Sequence, residues 1–358
     1  MWEFSDDVTA LERGREMTEH SENGVNQEKN VNPSADATKD NPKDLKREAS
    51  WPAVLFYIHL NILGIYGVVV LFTHTTLVTA LFTTLLTFFG IIGVTCGSHR
   101  LWAHRTYVAT PALRIFLMLC QTMAGQGSIY EWVRQHRLHH KAFKTPDDPF
   151  YSDKDLLHSQ VLAQIRTLSP KQQKLLDEID MSDIEDDKIV MFQKKFYWIL
   201  YLVFFVLLPI NAPLEYWDDT VQAALFVAFS LRYMIVINVA WMVNSAHFVW
   251  GLDKNFKQSD SNLIFVITKT YWPQYHYLMP WDYQTGEFGN YGEGLTTILI
   301  RVFAALELAS DLSTISTDAV KTGLTMAVDS GRPVVECLRE AGIAEMEKYP
   351  KVCRAYNK

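Results

Sequence analysis

Residues 96–141 read CGSHRLWAHRTYVATPALRIFLMLCQTMAGQGSIYEWVRQHRLHHK, and this stretch holds five of the chain's eleven histidines in two groups. The groups are, in chain order, His99 with His104, then His136, His139 and His140. Side chains three and four residues apart share one face of an α-helix, so the second group, an HxxHH motif, presents its imidazoles together. Imidazole suits iron, copper, nickel or zinc, and an all-nitrogen cluster differs from the cysteine-rich sites of structural zinc. The stretch therefore predicts a metal site.

Long uncharged apolar runs surround this stretch and indicate the class of protein. The 358 residues are 49% hydrophobic and 13% aromatic, with a formal net charge of -7. This length would allow two soluble domains, but the concentration of apolar residues in long runs favours a membrane protein with one main body. The four cysteines show no CxxC pairing, so we expect reduced thiols.

Four of the runs, with their flanks, are long enough to cross a hydrocarbon core of about 30 Å at about 1.5 Å per residue. They are residues 54–72, 77–94, 196–210 and 221–243. The first two are joined by THTT and the last two by NAPLEYWDDT, so each pair should form a hairpin. The predicted fold is an all-α integral membrane protein with four transmembrane helices in two hairpins and a cytosolic helical cap that holds the histidine-rich metal site.

The distribution of Lys and Arg predicts the orientation of these spans. Basic residues precede the first span and lie between the second and third, whereas the two short connections contain none. The positive-inside rule then places both termini and the histidine segments in the cytosol. Arg232 falls within the fourth span, where a charge is costly, so it should face protein or a polar cavity rather than lipid.

The remaining segments divide the chain into three parts. Residues 1–50 are polar and poor in large apolar side chains, which predicts a disordered cytosolic tail. Residues 51–325 form the membrane domain, and residues 326–358 are expected to be a cytosolic C-terminal tail. Two apolar stretches within the domain, 111–124 and 295–308, are too short to span comfortably and should be interfacial or core helices.

Five segments in order along the chain resemble landmarks of a known family. They are HRLWAH (99–104), YEWVRQHRLHHK (130–141), SDIEDDKIVMFQKKFY (182–197), RYMIVINVAWMVNSAHFVWG (232–251) and PWDYQTGEFGNY (280–291). With this order and spacing, the chain resembles the membrane fatty acyl-CoA desaturases, in the stearoyl-CoA or Δ9 branch, over about residues 40–325.

The resemblance implies a function. Members of the family are four-span proteins of the endoplasmic reticulum membrane. A di-iron centre there activates O2 and inserts a cis double bond, usually between carbons 9 and 10, into a saturated fatty acyl-CoA. Electrons come from cytochrome b5 and its reductase. We therefore expect iron as cofactor, membrane lipid around the chain and no nucleic-acid partner.

The resemblance also implies roles for single residues. The histidines at family ligand positions are His99, His104, His136, His139, His140 and His276. Asn244 matches an asparagine that contacts metal through a water molecule. Trp132 and Trp241 match aromatic residues that line the substrate tunnel, and Arg134 matches a basic residue near the CoA end of the tunnel.

The third histidine group departs from the family pattern. Where the family reads NSAAH, this chain reads NSAHF, so Phe248 takes the ligand position and His247 lies one residue earlier, a rotation of about 100° on a helix. Where the family reads HNYHH, this chain reads PQYHY, so Pro273 and Tyr277 replace two histidines. Six of the nine family histidine ligands are therefore matched. Tyr277 as a phenolate ligand, or His247 recruited by a backbone shift, are two ways to complete the set.

Three hypotheses follow from this degenerate group. The chain is an active acyl-CoA desaturase with an altered ligand set, or a catalytically impaired homologue that acts as a lipid-binding or regulatory membrane protein, or a protein that holds one metal and has another oxidative activity. The three predict two irons, none and one per chain, respectively.

Overall fold

The computed structural model describes residues 47–143, 145–150, 157–249, 275–285, 292 and 294–348. The main helices in this part are α1 (Trp51–Thr73), α2 (Leu77–Ala103), α3 (Pro111–Ala124), α4 (Ile129–Ala142), α5 (Pro170–Asp177), α6 (Ser182–Glu185), α7 (Lys188–Trp217), α8 (Ala223–Leu231 in π geometry, continued by Arg232–Val249), α9 (Tyr275–Leu278), α10 (Leu295–Ala305), α11 (Thr317–Ser330) and α12 (Val334–Lys348). A short π-helical segment, His158–Leu162, lies between α4 and α5. Two short strands, β1 (Val108–Ala109) and β2 (Ala309–Ser310), pair antiparallel. Residues 1–46 of the predicted tail lie outside the described residues.

Four helices, α1, α2, α7 and α8, are long and apolar enough to cross a membrane, with mean hydropathies between 1.9 and 2.2. They follow one another as α1–α2 and α7–α8, which confirms the predicted all-α membrane protein with four spans in two hairpins. Large apolar side chains on these helices are exposed, such as Ile62 at 61% and Trp198 at 76%. Contiguous exposed apolar surface of this kind is what contact with lipid requires.

The buried charge of the fourth span is compensated by carbonyl groups. Arg232 is fully buried and donates hydrogen bonds to the carbonyls of Ala228 (3.0 Å), Met123 (2.8 Å) and Phe205 (3.1 Å). Met123 lies in the last turn of α3, where helix carbonyls lack intrahelical partners and carry partial negative charge. Arg232 therefore faces protein, as predicted, and joins α8 to α3 and α7.

The second span continues beyond the predicted residues 77–94. Its π-helical end, Gly93–Ala103, is entirely buried. Gly93 lies so close to α3 that a Cβ there would stand 2.2 Å from the backbone nitrogen of Gln121. Because glycine allows this approach, α2 carries His99 into the centre of the packed helices outside the spans.

The helices outside the spans form a cap. The two short apolar stretches are separate helices, α3 and α10, and neither is long enough to span. One apolar core joins the end of α2 to α3, α4 and α10, with Trp102, Leu117 and Val133 among its buried members. The cap thus holds α2 and α4, the two helices that carry the first histidine groups, against each other.

The C-terminal part of the described chain is a helical hairpin. Helices α11 and α12 pack together, and Leu338 of α12 packs on the buried Met279, which directly follows α9. The boundary predicted between residues 325 and 326 falls within α11. The hairpin therefore supports the segment that carries His276.

Candidate metal centre

The first histidine pair is positioned by the π-helical end of α2. The backbone nitrogen of His104 donates to the carbonyl of His99, five residues earlier, at 3.1 Å. This is the π-type bond, and it places residues five apart beside each other. The two imidazole rings lie 4.8 Å apart between their centroids. The spacing HxxxxH is thus brought together by the local helix geometry.

The HxxHH motif lies on α4, whose first turn is capped by Ser128, which accepts a hydrogen bond from the backbone nitrogen of Glu131. His136 Nε2 lies 2.8 Å from His104 Nε2. His140 Nε2 lies 3.1 Å from His276 Nε2 on α9. The motif therefore sends two of its three imidazoles toward the histidines of α2 and α9.

Five imidazoles converge in this way. His276 Nε2 also lies 3.1 Å from His99 Nε2, and the donor nitrogens of four of these histidines all lie within 4.8 Å of one another. We name the group the five-histidine cluster: His99, His104, His136, His140 and His276.

The donor set of the cluster fits a first-row transition-metal ion. Two nitrogens each about 2.1 Å from one ion, at right angles, stand about 3 Å apart, and the facing nitrogens here are 2.8 to 3.1 Å apart. His276 Nε2 faces two other nitrogens and its buried Nδ1 has no hydrogen-bond partner within the described residues. A metal ion would give the lone pair on His276 Nε2 a partner, whereas two facing imidazole nitrogens compete for the same position.

Asn244 fixes the tautomer of one cluster histidine. Its Oδ1 accepts a hydrogen bond from His136 Nδ1 at 2.9 Å. The proton on Nδ1 leaves Nε2 with a free lone pair directed into the cluster. The structure thus places Asn244 in direct contact with a histidine of the cluster.

Burial favours the neutral form of four of the cluster imidazoles. Desolvation lowers the pKa of His104, His136, His140 and His276 well below the ordinary value, and neighbouring imidazoles lower it further. Metal ligation requires the neutral imidazole, so protons compete less with metal here than at an exposed histidine.

His139, the third member of the HxxHH motif, lies outside the cluster. Its Nδ1 donates to the buried carboxylate of Asp148, at 2.8 and 2.9 Å to the two oxygens. Its Nε2 lies 3.1 Å from Tyr277 Oη, and the Tyr277 ring stacks on Phe143 at 3.5 Å between centroids. Asp148 therefore leaves the Nε2 lone pair available, and the phenol of Tyr277 is the group that faces it.

The other substitutions of the third histidine group cannot be placed. The side chains of His247 and Phe248, near the end of α8, and the whole of Pro273 lie outside the described residues. Their predicted effects on the ligand set stay predictions.

A cavity of about 320 Å³ adjoins the cluster. Trp132 and Trp241, the predicted tunnel residues, both line it, as do His136 and Asn244. Trp132 stacks on His136 at 5.0 Å between ring centroids. The amide side chains of Gln126, Gln135 and Gln164 line it as well. A molecule in the cavity would therefore lie beside aromatic rings, polar amides and a cluster imidazole.

Arg134, predicted near the CoA end, does not line this cavity. Its guanidinium pairs with Asp177 at 2.5 Å and donates to the carbonyl of Leu176 at 3.2 Å. The contacts of Arg134 thus join α4 to α5.

Two buried groups near the site were not recognised in the sequence. Asp148 orients His139, and Arg100 donates to the carbonyl of Asp282 at 3.1 Å and bonds to Thr285, tying α2 to the segment that follows α9. An aspartate soon after a ligand-bearing helix is a signal for such an orienting carboxylate. The adjacent Asp147 made the signal ambiguous.

Comparison with known proteins gives the family. No family model matches the chain. It is 37% identical to an acyl-CoA Delta-9 desaturase of Acheta domesticus over 293 residues, which are 81% of this chain and 82% of the relative. It is 36% identical to an acyl-CoA Delta12-desaturase of the same species over 80% of this chain and 82% of that relative, and 35% identical to the stearoyl-CoA desaturase of Homo sapiens over 77% of each. These similarities confirm the resemblance seen in the motifs: the chain belongs to the acyl-CoA desaturase family.

Proposed function

We propose that this chain is an iron-dependent acyl-CoA desaturase that uses O2 to insert a cis double bond at the Δ9 position of a saturated fatty acyl-CoA. The observation that carries the proposal is the convergence of five imidazoles beside a cavity that is lined in part by aromatic rings. Membership of the acyl-CoA desaturase family supports the substrate class. A Delta-9 enzyme and a stearoyl-CoA desaturase among the relatives favour Δ9, although Delta-12 and Delta(11) enzymes are similar to this chain as well.

The ligands in this proposal divide between two positions. The five-histidine cluster holds one iron, and His139, with Tyr277 beside it, belongs to a second. When bound, iron supplies the activation of O2 that removal of hydrogen from an unactivated carbon chain requires. Asn244 and Asp148 each accept the Nδ1 proton of a histidine and so keep its Nε2 free. Asn244 thus acts here through His136, and contact with metal through water stays a prediction.

The cavity walls supply positioning. Trp132 and Trp241 present flat apolar surfaces, and Tyr57 packs edge-on against Trp241 at 4.8 Å between ring centroids. An acyl chain between these rings is held in one orientation and shielded from water, which lowers the barrier by alignment of the reacting carbons. The same shielding excludes water from the reactive position beside His136. Arg134 is proposed only as a contact for the CoA head group at the surface.

The proposed function also includes the electron donors and the membrane location of the chain. Cytochrome b5 and its reductase deliver the electrons, and the chain resides in the endoplasmic reticulum membrane. Both terminal tails, residues 1–50 and 326–358, and the cap lie in the cytosol. The distribution of Lys and Arg between the spans supports this orientation.

Expression in cells that lack their own desaturase tests the proposal. We expect new monounsaturated acyl chains whose double bond, located by mass spectrometry after derivatisation, lies at carbon 9. The matched control is the His104→Ala, His136→Ala double variant, expressed to the same level, which should yield none. A well-expressed, membrane-inserted chain that forms no unsaturated product would contradict the proposal in favour of a lipid-binding or regulatory homologue. Product at carbon 11 or 12 would contradict the Δ9 assignment alone.

A further inference from the structure

The chain is fastened to the cap just before it enters the first span. Thr167 donates from its backbone nitrogen to the carbonyl of Glu48 at 2.9 Å, and Ser50 donates from its backbone nitrogen to the carbonyl of Ile165 at 2.8 Å. Ala49 and Arg166 form an antiparallel bridge between these bonds. Residues 47–50 thus form a strap, which pairs with the segment that precedes α5.

Arg47, at the start of the strap, binds two cap segments at once. Its guanidinium donates four hydrogen bonds, all to backbone carbonyls: Pro149 (2.7 Å), Ala163 (2.7 Å), Thr167 (3.0 Å) and Arg166 (3.2 Å). The planar guanidinium of an arginine can donate to carbonyls of two segments at once, whereas lysine offers a single point charge. Arg47 therefore links residues 145–150 to residues 163–167, segments separated from it by about a hundred positions in sequence.

The carbonyl of Pro149 lies between two residues of the site. Asp148, on one side, accepts the Nδ1 proton of His139 and also the backbone proton of Phe150 at 2.9 Å. Phe150, on the other side, packs edge-on against the His139 ring at 5.6 Å between centroids and lines the cavity. A shift of the Pro149 peptide would move both contacts of His139.

The second segment held by Arg47 also borders the site. Gln164 follows Ala163 and lines the cavity with Phe150. By bonding to Ala163 and Pro149 together, Arg47 fixes the distance between two parts of the cavity wall.

Charge strengthens the link. Burial and the nearby Arg166 lower the pKa of Arg47 to about 10, and Asp148 opposes this shift. Arg47 is therefore protonated at neutral pH, and its charge partly offsets that of the buried Asp148 carboxylate.

We propose that Arg47 is a positioning residue of the metal centre: through the Pro149 carbonyl it holds Asp148 against His139 and Phe150 against the cavity. The inference concerns the His139 side of the site, and its catalytic consequence rests on the proposed function. Because Asp148 and Arg47 act on the same imidazole, their effects on metal binding should not add.

The test measures binding of Co²⁺ to purified full-length protein by visible absorption, with four variants: Arg47→Lys, Arg47→Gln, Asp148→Asn and Arg47→Gln with Asp148→Asn. We expect each single variant to weaken Co²⁺ binding on the His139 side by about 10- to 100-fold, the range for loss of an orienting partner. The double variant should be no weaker than Asp148→Asn. Arg301→Lys is the matched control, because Arg301 also donates to a backbone carbonyl, Gly292 at 2.8 Å, and should leave binding unchanged.

Other outcomes would overturn the inference. These are Arg47 variants that bind Co²⁺ as the unmodified protein does, and a double variant whose effect is the sum of the single ones. Unfolding of both Arg47 variants while Asp148→Asn stays folded would assign Arg47 to stability instead. If the protein forms unsaturated product and the Arg47 variants form as much, only this inference is contradicted. If metal binding depends on Arg47 but the protein forms no unsaturated product, only the proposed function is contradicted. An unmodified chain that binds no metal contradicts both.

Discussion

His136 and His139 lie one turn apart on α4 but have different neighbours. The Nε2 of His136 points at another imidazole, and three further imidazoles complete its cluster. The Nε2 of His139 points at the phenol of Tyr277, and behind it a carboxylate, Asp148, takes the Nδ1 proton. One side of the helix thus provides many equivalent donors, whereas the other provides one well-oriented donor among the described residues.

This difference separates two ways to build a metal position. Donors in the cluster come from α2, α4 and α9, so the loss of one leaves several nitrogens within reach of an ion. On the His139 side the position depends on how firmly a single imidazole is held and on what replaces the missing histidines. We therefore expect the two sides to respond differently to the same kind of substitution.

The largest expected effect comes from removing two cluster imidazoles. His104→Ala combined with His136→Ala should abolish metal at the cluster and all desaturase product, because these nitrogens face each other across 2.8 Å. His139→Ala should abolish product but retain the cluster metal. Metal per chain, measured by mass spectrometry on purified protein, separates the two variants. Equal metal content in both variants would contradict the division into a cluster position and a separate His139 position.

The next effect concerns the residues that orient the histidines. Asp148→Asn should lower the affinity for metal on the His139 side by about 10- to 100-fold. Asn244→Leu should lower the affinity of the five-histidine cluster for metal by about 10-fold. Each loses the acceptor for one Nδ1 proton, so the Nε2 lone pair is no longer fixed. Co²⁺ titration followed by absorption measures both. Weakening of the same site by both variants would contradict the assignment of these residues to opposite sides.

Tyr277 is the position where the two sides can be made more alike. Tyr277→His replaces the phenol that faces His139 Nε2 with an imidazole, so we expect the second metal to bind more tightly. Tyr277→Phe, which keeps the ring on Phe143 but has no oxygen, should weaken it. The measurement is metal per chain at limiting iron. An unchanged second site in both variants would show that Tyr277 does not contribute to it.

The smallest effect is expected at the C-terminal hairpin. Gly342 lies against the segment after α9, where a Cβ would stand 2.9 Å from Met279 Sδ. Gly342→Leu should lower stability by about 1–3 kcal/mol through overpacking and weaken the cluster a few-fold by displacing His276. Ala344→Leu, on the exposed face of α12, is the matched control and should have neither effect. Thermal unfolding and Co²⁺ titration measure the two quantities.

Much of this arrangement follows from local sequence pattern. The four spans could be predicted from uninterrupted apolar runs, and the short helices α3 and α10 from runs too brief to span. The HxxHH spacing indicated a shared helix face. On a helix the three imidazoles lie within about 100° of one another. The spacing alone therefore could not show that His139 faces Asp148 and Tyr277 while His136 and His140 face the cluster.

Contacts between distant segments could not be predicted. Arg47 and Pro149 are 102 residues apart, and no periodicity relates them. The choice of Asp148 over Asp147 as the partner of His139 depends on the turn that follows α4. Arg134 was expected near the CoA end, but its contacts with Asp177 depend on where α5 packs. These features arise from tertiary packing, which a single sequence does not encode in any short pattern.

X-ray absorption at the iron edge, on protein purified from iron-supplemented cells, tests the central claim most directly. We predict bound iron whose nearest shell is dominated by nitrogen at about 2.1 Å, with the multiple scattering of imidazole rings. That signal should be lost in the His104→Ala, His136→Ala double variant. Iron without imidazole scattering, or a folded protein that retains no iron, would contradict the assignment of the five-histidine cluster as a metal centre.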